Sequence, residues 1–228
     1  MPDGLEALVF DLDGTLVETA ADLHLVLEEI LSEVGLAAPP LAAVRGMIGD
    51  GARVLIERAL AMIGAPAEPV LVDRLFARFR ERYAEEPCRA STPYPGAREL
   101  LRTMRERGIR MGLCTNKPQA ATEGLLAALD LAPFFASAIG GDRLPVRKPD
   151  PGHLAAVLAD LGATPAAAVM VGDSRNDLLT ARGLEVPCVL VSFGYTSVPA
   201  RELGADAVID RLADLPEALV RLRAGRAV

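Results

Sequence analysis

The chain has 228 residues, 51% of them hydrophobic and 24% charged, with a net charge of −7. That balance describes a globular protein long enough to bury a core, and its acidity excludes the basic face of a general nucleic-acid binder. No apolar run reaches the ~18 residues that cross a bilayer, and the opening residues lack the basic and apolar regions of a secretion signal. A cytoplasmic protein with neither membrane nor nucleic-acid partners is therefore expected, as a monomer or homodimer.

The first predicted strand, Ala7–Phe10, ends abruptly in Asp11 and Asp13, followed by Gly14 and Thr15. On an extended chain this i, i+2 spacing points both carboxylates to one side. Like charges held that close resist joint ionisation unless a cation or a shared proton relieves them. The run implies either a bound divalent cation or a carboxylate pair with split acid and base roles.

About a hundred residues then pass without a convincing strand. Helical apolar spacing recurs at Leu23, Val26, Leu27, Ile30 and Leu31, at Val54, Leu55, Ala59 and Leu60, and at Val70, Leu71, Leu75, Phe76 and Phe79. Residues 16–90 are thus expected to form a helical subdomain inserted into a core made of residues 1–15 and 91–228. Within the insertion, Arg45-Gly-Met-Ile-Gly49-Asp50-Gly51-Ala-Arg53 carries three glycines just before a helix, a place where backbone amides can approach an anion. The return stretch, residues 87–96, is rich in Pro, Ser and Gly and reads as linker.

The remaining strands are expected at Arg110–Cys114, Ser137–Ile139, Ala167–Val171, Cys188–Ser192 and Ala207–Ile209. Helices lie between them at Ala97–Arg107, Gln119–Leu129, Pro151–Leu161 and Asp177–Arg182. Strand–helix alternation of this kind predicts an α/β fold, a Rossmann-like open parallel sheet with helices on both faces. The three cysteines (Cys88, Cys114, Cys188) show no disulfide or metal spacing, and the two histidines are too isolated for a zinc site. Lys117 and Lys148 are the only lysines.

Open sheets of this type bind ligands beyond the carboxyl ends of their strands. Asp11 and Asp13 fall there, as do Thr115-Asn116, Lys148-Pro149 and Gly172-Asp173-Ser-Arg-Asn-Asp177. Each alone could be a turn or a helix cap; together they place polar groups at one end of one sheet. The set Asp11-x-Asp13-Gly-Thr, Thr115-Asn116, Lys148-Pro149 and Gly172-Asp173-x4-Asp177 resembles the four motifs of the haloacid dehalogenase superfamily, and the insertion resembles its small helical cap.

The resemblance implies a Mg2+-dependent phosphatase acting on a small organic phosphate. Asp11 would be the nucleophile that forms an aspartyl-phosphate, and Asp13 the acid and then the base. Lys148, Thr115 and Asn116 would hold the phosphate. Asp11, the Asp13 backbone carbonyl and Asp173 would ligate the metal, with Asp177 near it and more suited to orienting than to coordinating. Asp13 sets the chain apart from dehalogenases, which need no leaving-group acid. Related proteins that hydrolyse phosphonates use a cap lysine as a Schiff base, and the absence of lysine in residues 16–90 argues against that chemistry.

The glycine-rich loop is similar to that of bacterial phosphoglycolate phosphatases, so 2-phosphoglycolate is the expected substrate. Arg45, Gly49, Asp50, Gly51 and Arg53 are the candidate specificity residues, with either arginine suited to a substrate carboxylate. A β-phosphoglucomutase-like mutase, a pyrophosphatase or broad sugar-phosphate phosphatase, and a non-catalytic protein on the same scaffold remain alternatives. Two departures from the group's pattern are Glu18-Thr19 after the first motif and Gly183, two residues earlier than the usual helix-ending glycine.

Overall fold

The computed structural model describes residues 4–224. Its centre is a six-stranded parallel sheet made of β1 (Ala7–Phe10), β4 (Arg110–Cys114), β5 (Ser137–Ile139), β6 (Ala168–Gly172), β7 (Cys188–Val191) and β8 (Ala207–Ile209). Their spatial order is β5-β4-β1-β6-β7-β8. β1 pairs with β4 on one side and β6 on the other, with Phe10 opposite Leu113 and Val171.

The chain steps outward from β1 in one direction through β4 and β5, then returns to build β6, β7 and β8 in the other. The crevice beyond β1 and β6 is therefore the switch point of the sheet, where such folds bind ligands.

β1 explains why its sequence shows no alternation. Leu8 and Phe10 pack into one layer with Leu101 and Met104 of α5 (Ala97–Glu106) and Leu219 of α9 (Leu215–Ala224). Ala7 and Val9 face the opposite layer with Leu154 and Val157 of α7 (Pro151–Leu161) and Leu178 of α8 (Arg175–Arg182). A strand covered on both faces reads as a continuous apolar run. α6 (Gln119–Ala128) completes the first layer through Leu125 and Leu126.

The six sheet strands lie where the sequence predicts them, to within a residue at the ends. β6 starts at Ala168 because Ala167 belongs to a short 3-10 turn. α8 starts at Arg175, two residues before the predicted Asp177. Ser174 caps it, and Asp177 reaches back to the Ser174 amide as the partner in a capping box. At its other end Gly183 is needed for close packing, since a Cβ there would lie 2.7 Å from that of Pro151. The left-handed conformation falls instead on Glu185 (φ 56°).

The insertion folds as four helices, α1 (Ala20–Ser32), α2 (Leu41–Arg45), α3 (Ala52–Met62) and α4 (Pro69–Glu85). They enclose their own apolar cluster, including Leu27, Ile30, Ile56, Leu60, Leu75 and Phe79. The outgoing and returning chains pair as two short antiparallel strands not expected from sequence, β2 (Val17–Glu18) and β3 (Thr92–Pro93). Leu16 and Val17 still pack in the sheet's cluster, whereas Leu23 packs among the helices.

Asp22 fixes this crossing. Its fully buried carboxylate accepts from the Arg89, Ala90 and Ser91 amides (3.1, 2.7 and 2.9 Å) and from the Ser91 hydroxyl (2.5 Å). Removing an acceptor strands buried donors, at about 1–3 kcal/mol for each group left unpaired. Asp22→Ala is expected to lower unfolding stability by about 3 kcal/mol, read from urea titration. A loss within 0.5 kcal/mol, of the order of a neutral surface change, would show that water replaces the carboxylate.

Candidate active site

The loop after β1 turns sharply. The Asp11 amide donates to the Val171 carbonyl (2.9 Å), and the Leu16 and Val17 amides both return to the Leu12 carbonyl (3.0 Å each). Gly14 sits at φ 80°, and a Cβ there would come within 2.6 Å of the Asp173 carboxylate. Glycine is thus required twice over, by conformation and by the approach of Asp173. Gly194 serves the same carboxylate, because a Cβ there would lie 2.2 Å from that of Asp173.

Three acidic side chains converge at this point. Ligating oxygens of Asp11, Asp173 and Asp177 lie within 4.8 Å of one another, and all three residues are buried. Burial raises Asp11 to about 6, with Lys148 opposing that rise and Asp177 adding to it. Burial, then Asp177 and Asp11, hold Asp173 well above the ordinary carboxylate range.

One lysine faces them. Lys148, 2% exposed, places Nζ 2.9 Å from Asp11 Oδ1 and 2.6 Å from Asp177 Oδ1. Burial disfavours its charge, but Asp11 and Asp177 more than compensate and hold it protonated. Three carboxylates against one ammonium leave an excess of negative charge in a water-poor crevice. An all-oxygen donor set with that excess suits a hard divalent cation.

The two oxygens of Asp177 are already engaged. Oδ1 accepts from Lys148, while Oδ2 accepts from the Asp173 and Ser174 amides and the Ser174 hydroxyl. By contrast, Thr15 Oγ1 and Asn116 Oδ1 are buried without a hydrogen-bond partner. Buried polar atoms are normally satisfied, so these point to a ligand on the core side of the crevice.

Thr115 and Asn116 follow β4 on the same rim. The Thr115 amide donates to Ile139 O (3.2 Å), and Asn116 Nδ2 donates to the carbonyls of Lys148 and Gly49 (3.0 Å each). The Gly49 contact brings the insertion down onto the core. Asp50 reinforces it by accepting from Asn176 Nδ2 (2.6 Å) while pairing with Arg58. Gly51 lies close over the Asn116 carbonyl. Between these walls remains a cavity of about 30 Å³, lined by Asp11, Asp13, Gly49, Thr115 and Asn116 among others.

The two candidate arginines are not brought to that cavity. Arg45 pairs with Glu18 (2.7 Å) and lies over the Tyr195 ring. Arg53 pairs with Asp73 on the outer side of the helices and lies over Phe76. Both are more than a third exposed.

Side chains without a role in the sequence reading occupy the site instead. Lys117, 4% exposed, contacts Asp13 Oδ1 (3.1 Å) and the Tyr83 hydroxyl (2.7 Å). Its signal was scarcity, one of two lysines and directly after Thr115-Asn116. Tyr195 donates its amide to Asp173 (2.6 Å) and its hydroxyl to Glu18 (2.7 Å). His153 accepts from the Lys148 amide through Nδ1 (3.2 Å) and meets Ile139 O through Nε2 (3.1 Å), so it fixes the backbone that carries Lys148.

Comparison with known proteins agrees with this geometry. Residues 5–184 match the haloacid dehalogenase-like hydrolase family. The chain belongs to the haloacid dehalogenase-like hydrolases. Among members of this hydrolase family it is 45% identical to a phosphoglycolate phosphatase of Caulobacter vibrioides, over 94% of this chain and 91% of that one. It is 44% identical to the phosphoglycolate phosphatase of Rhodospirillum rubrum, covering 92% and 89%. A predicted phosphoglycolate phosphatase of Haemophilus somnus superposes with a TM-score of 0.87 at 28% identity, covering 95% and 98%. CbbY of Rhodobacter sphaeroides, solved with phosphate, gives 0.79 at 25% identity, covering 92% and 96%. Among the described residues no helix of this hydrolase is long and apolar enough to cross a membrane.

His153 yields a pH prediction. Burial, then Lys148, lowers it from 6.5 to about 4. A neutral native imidazole contributes stability above the unfolded value, and that contribution is lost as pH falls from 6.5 towards 4. His153→Gln is expected to flatten the fall in the urea midpoint between pH 7 and pH 4.5; an unchanged slope would place the titration elsewhere.

Proposed function

We propose that the chain hydrolyses 2-phosphoglycolate to glycolate and phosphate with a divalent cation, Mg2+, bound at Asp11, Asp173 and the Asp13 backbone. One observation carries the reaction: Asp11, Asp13 and Lys148 meet at the switch point of the sheet, buried under a docked helical insertion. The substrate rests on the names of the curated relatives and on the small size of the cavity. The insertion, residues 16–90, acts as a cap and residues 1–15 and 91–228 as the catalytic core.

When bound, the cation offsets the charge of the carboxylates and of the incoming phosphate. Asp11 attacks phosphorus through a carboxylate oxygen, and the bond from phosphorus to the leaving oxygen breaks. Asp13 gives that oxygen its proton, releasing glycolate. Asp13 then takes a proton from water as the water oxygen attacks phosphorus, and the bond from Asp11 to phosphorus breaks. Lys148 holds Asp11 in line and shares the phosphate's charge. Thr115 and Asn116 donate hydrogen bonds to phosphate oxygens, and docking of Gly49 and Asp50 on the rim excludes water.

Asp177 acts as an orienting group, since its hydrogen bonds tie Lys148 to the start of α8. Gly49, Asp50 and Gly51 belong to the docking loop, where the backbone of Gly49 meets Asn116. Arg45 contributes to the crossing of the two chains and not to substrate contact.

Asp11→Asn is expected to abolish release of phosphate from 2-phosphoglycolate, by at least about a thousandfold, with the melting temperature retained. Residual turnover above one tenth would exclude Asp11 as nucleophile. The cation gives a second test. Asp11, raised to about 6, favours the native state when protonated, and this contribution is lost as pH rises from about 4 through 6. Above that range Mg2+ relieves ionised carboxylates; below it, protons compete. Mg2+ should therefore raise the melting temperature more at pH 7.5 than at pH 5, and an equal rise at both would argue against these ligands.

A further inference from the structure

Lys117 contacts Asp13, whereas Lys148 contacts Asp11 and Asp177. The Lys117 Nζ donates to both Asp13 oxygens (3.1 and 3.4 Å) and to the Tyr83 hydroxyl (2.7 Å), and lies 4.2 Å from the centre of the Tyr83 ring. Tyr83 belongs to α4 of the cap, and Lys117 to the loop after β4 of the core. The pair therefore meets across the cap–core boundary, and both residues line the cavity that also holds Asp11 and Asp13. Among the described residues lining that cavity, Lys117 is the only cation.

We propose that Lys117, assisted by the Tyr83 hydroxyl, is the subsite for an anionic tail on the substrate, the carboxylate of 2-phosphoglycolate. The inference rests on the phosphatase reading above, in which Asp13 gives its proton to the leaving oxygen. In phosphoglycolate the carboxylate carbon is two bonds from that oxygen. A group leaving beside Asp13 thus carries its carboxylate towards the ammonium that touches Asp13. The Tyr83 oxygen accepts from Lys117, so its own proton is available to the same carboxylate. Burial, then Asp13, holds the Tyr83 phenol well above its ordinary range, which keeps that proton in place.

The two arginines that the sequence offers as anchors are engaged elsewhere. Arg45 is bound to Glu18 and Arg53 to Asp73, neither lining the cavity. A compact ammonium also suits the narrow space better than a planar guanidinium. Because one partner sits on each domain, an anion bridging Lys117 and Tyr83 would favour the docked cap over an open one.

The test compares two esters of equal length on the full chain with saturating Mg2+: 2-phosphoglycolate and 2-hydroxyethyl phosphate, whose tail is neutral. Wild type is expected to prefer the anionic ester by at least about tenfold in kcat/KM, the scale of one charge-assisted hydrogen bond. Lys117→Met should remove most of that preference, read as the ratio of kcat/KM for the two esters, because any effect transmitted through Asp13 falls on both alike. Lys117→Arg should recover part of it. Turnover of the neutral ester certifies that each variant is folded. Should Lys117→Met lose both activities, Tyr83→Phe carries the comparison, with about a threefold loss of preference expected.

Equal losses on both esters, or an unchanged preference in Lys117→Met, would overturn the subsite and leave Lys117 as support for Asp13. An unchanged preference in Tyr83→Phe beside an unfolded Lys117→Met would overturn it too. A wild type without preference for the anionic ester overturns the substrate reading, and the subsite with it. A wild type that prefers phosphoglycolate while the variants keep that preference overturns the subsite alone.

Discussion

Three buried carboxylates held against one lysine set the terms for the rest of this molecule. Asp11, Asp173 and Asp177 would repel one another in any apolar surrounding, and Lys148 neutralises only part of the charge. Their positions are fixed by backbone that a side chain would disrupt, at Gly14, Gly172 and Gly194. The capping box of α8 consumes one oxygen of Asp177, and the Tyr195 amide takes one of Asp173. What remains directed into the crevice is an excess of negative charge that Lys148 alone does not balance. The fold stabilises this arrangement through two apolar layers on either side of the sheet, so the charged crevice is confined to the strand ends.

The cap follows from the same constraint. Phosphoryl transfer needs low water and fixed dipoles, yet a cavity of about 30 Å³ is well below the several hundred that organic ligands usually occupy. The insertion is held on the core by polar contacts, Gly49 and Asp50 on Asn116 and Asn176, Tyr83 on Lys117 and Arg80 on Asp142, and by Ala121 of α6 packing in its apolar cluster. The crossing itself is firmer, with β2 paired to β3, Asp22 holding residues 89–91, and Glu18 held by Tyr94, Tyr195 and Arg45.

Much of this is legible in the sequence because the core obeys short-range rules. Buried parallel strands read as unbroken apolar runs, and three of the four polar motifs follow their strands directly while Lys148 comes nine residues after β5, so the family assignment and the location of the crevice needed no tertiary information. Legibility fails where a side chain's partner lies far along the chain. Arg45 and Arg53 resemble substrate ligands by sequence position, but Glu18 and Asp73 are nearer than any cavity. β2 and β3 are two residues each and carry no periodicity. Lys117 and Tyr83 are 34 positions apart, and nothing local links a cap helix to the loop after β4. Its abundance of arginine hid one signal, since a chain with 24 basic residues and only two lysines places both lysines in the site.

That division of cations has a physical logic. Arg78, Arg201 and Arg221 form exposed pairs with carboxylates, where a planar fork gains geometry and solvent keeps the energy small. The crevice instead has to place point charges between oxygens only a few ångströms apart, and an ammonium on a flexible stem does that without displacing its neighbours. Lys148 contacts Asp11 and Lys117 contacts Asp13, so each carboxylate of the opening motif has its own cation, one from the loop after β5 and one from the loop after β4. The i, i+2 spacing that sends Asp11 and Asp13 to the same side of the chain thereby becomes tolerable before any metal binds. Separate partners also let the two acids differ in environment. Lys148 is locked between two carboxylates deep in the core, whereas Lys117 reaches to the insertion and shares its ammonium with the Tyr83 hydroxyl.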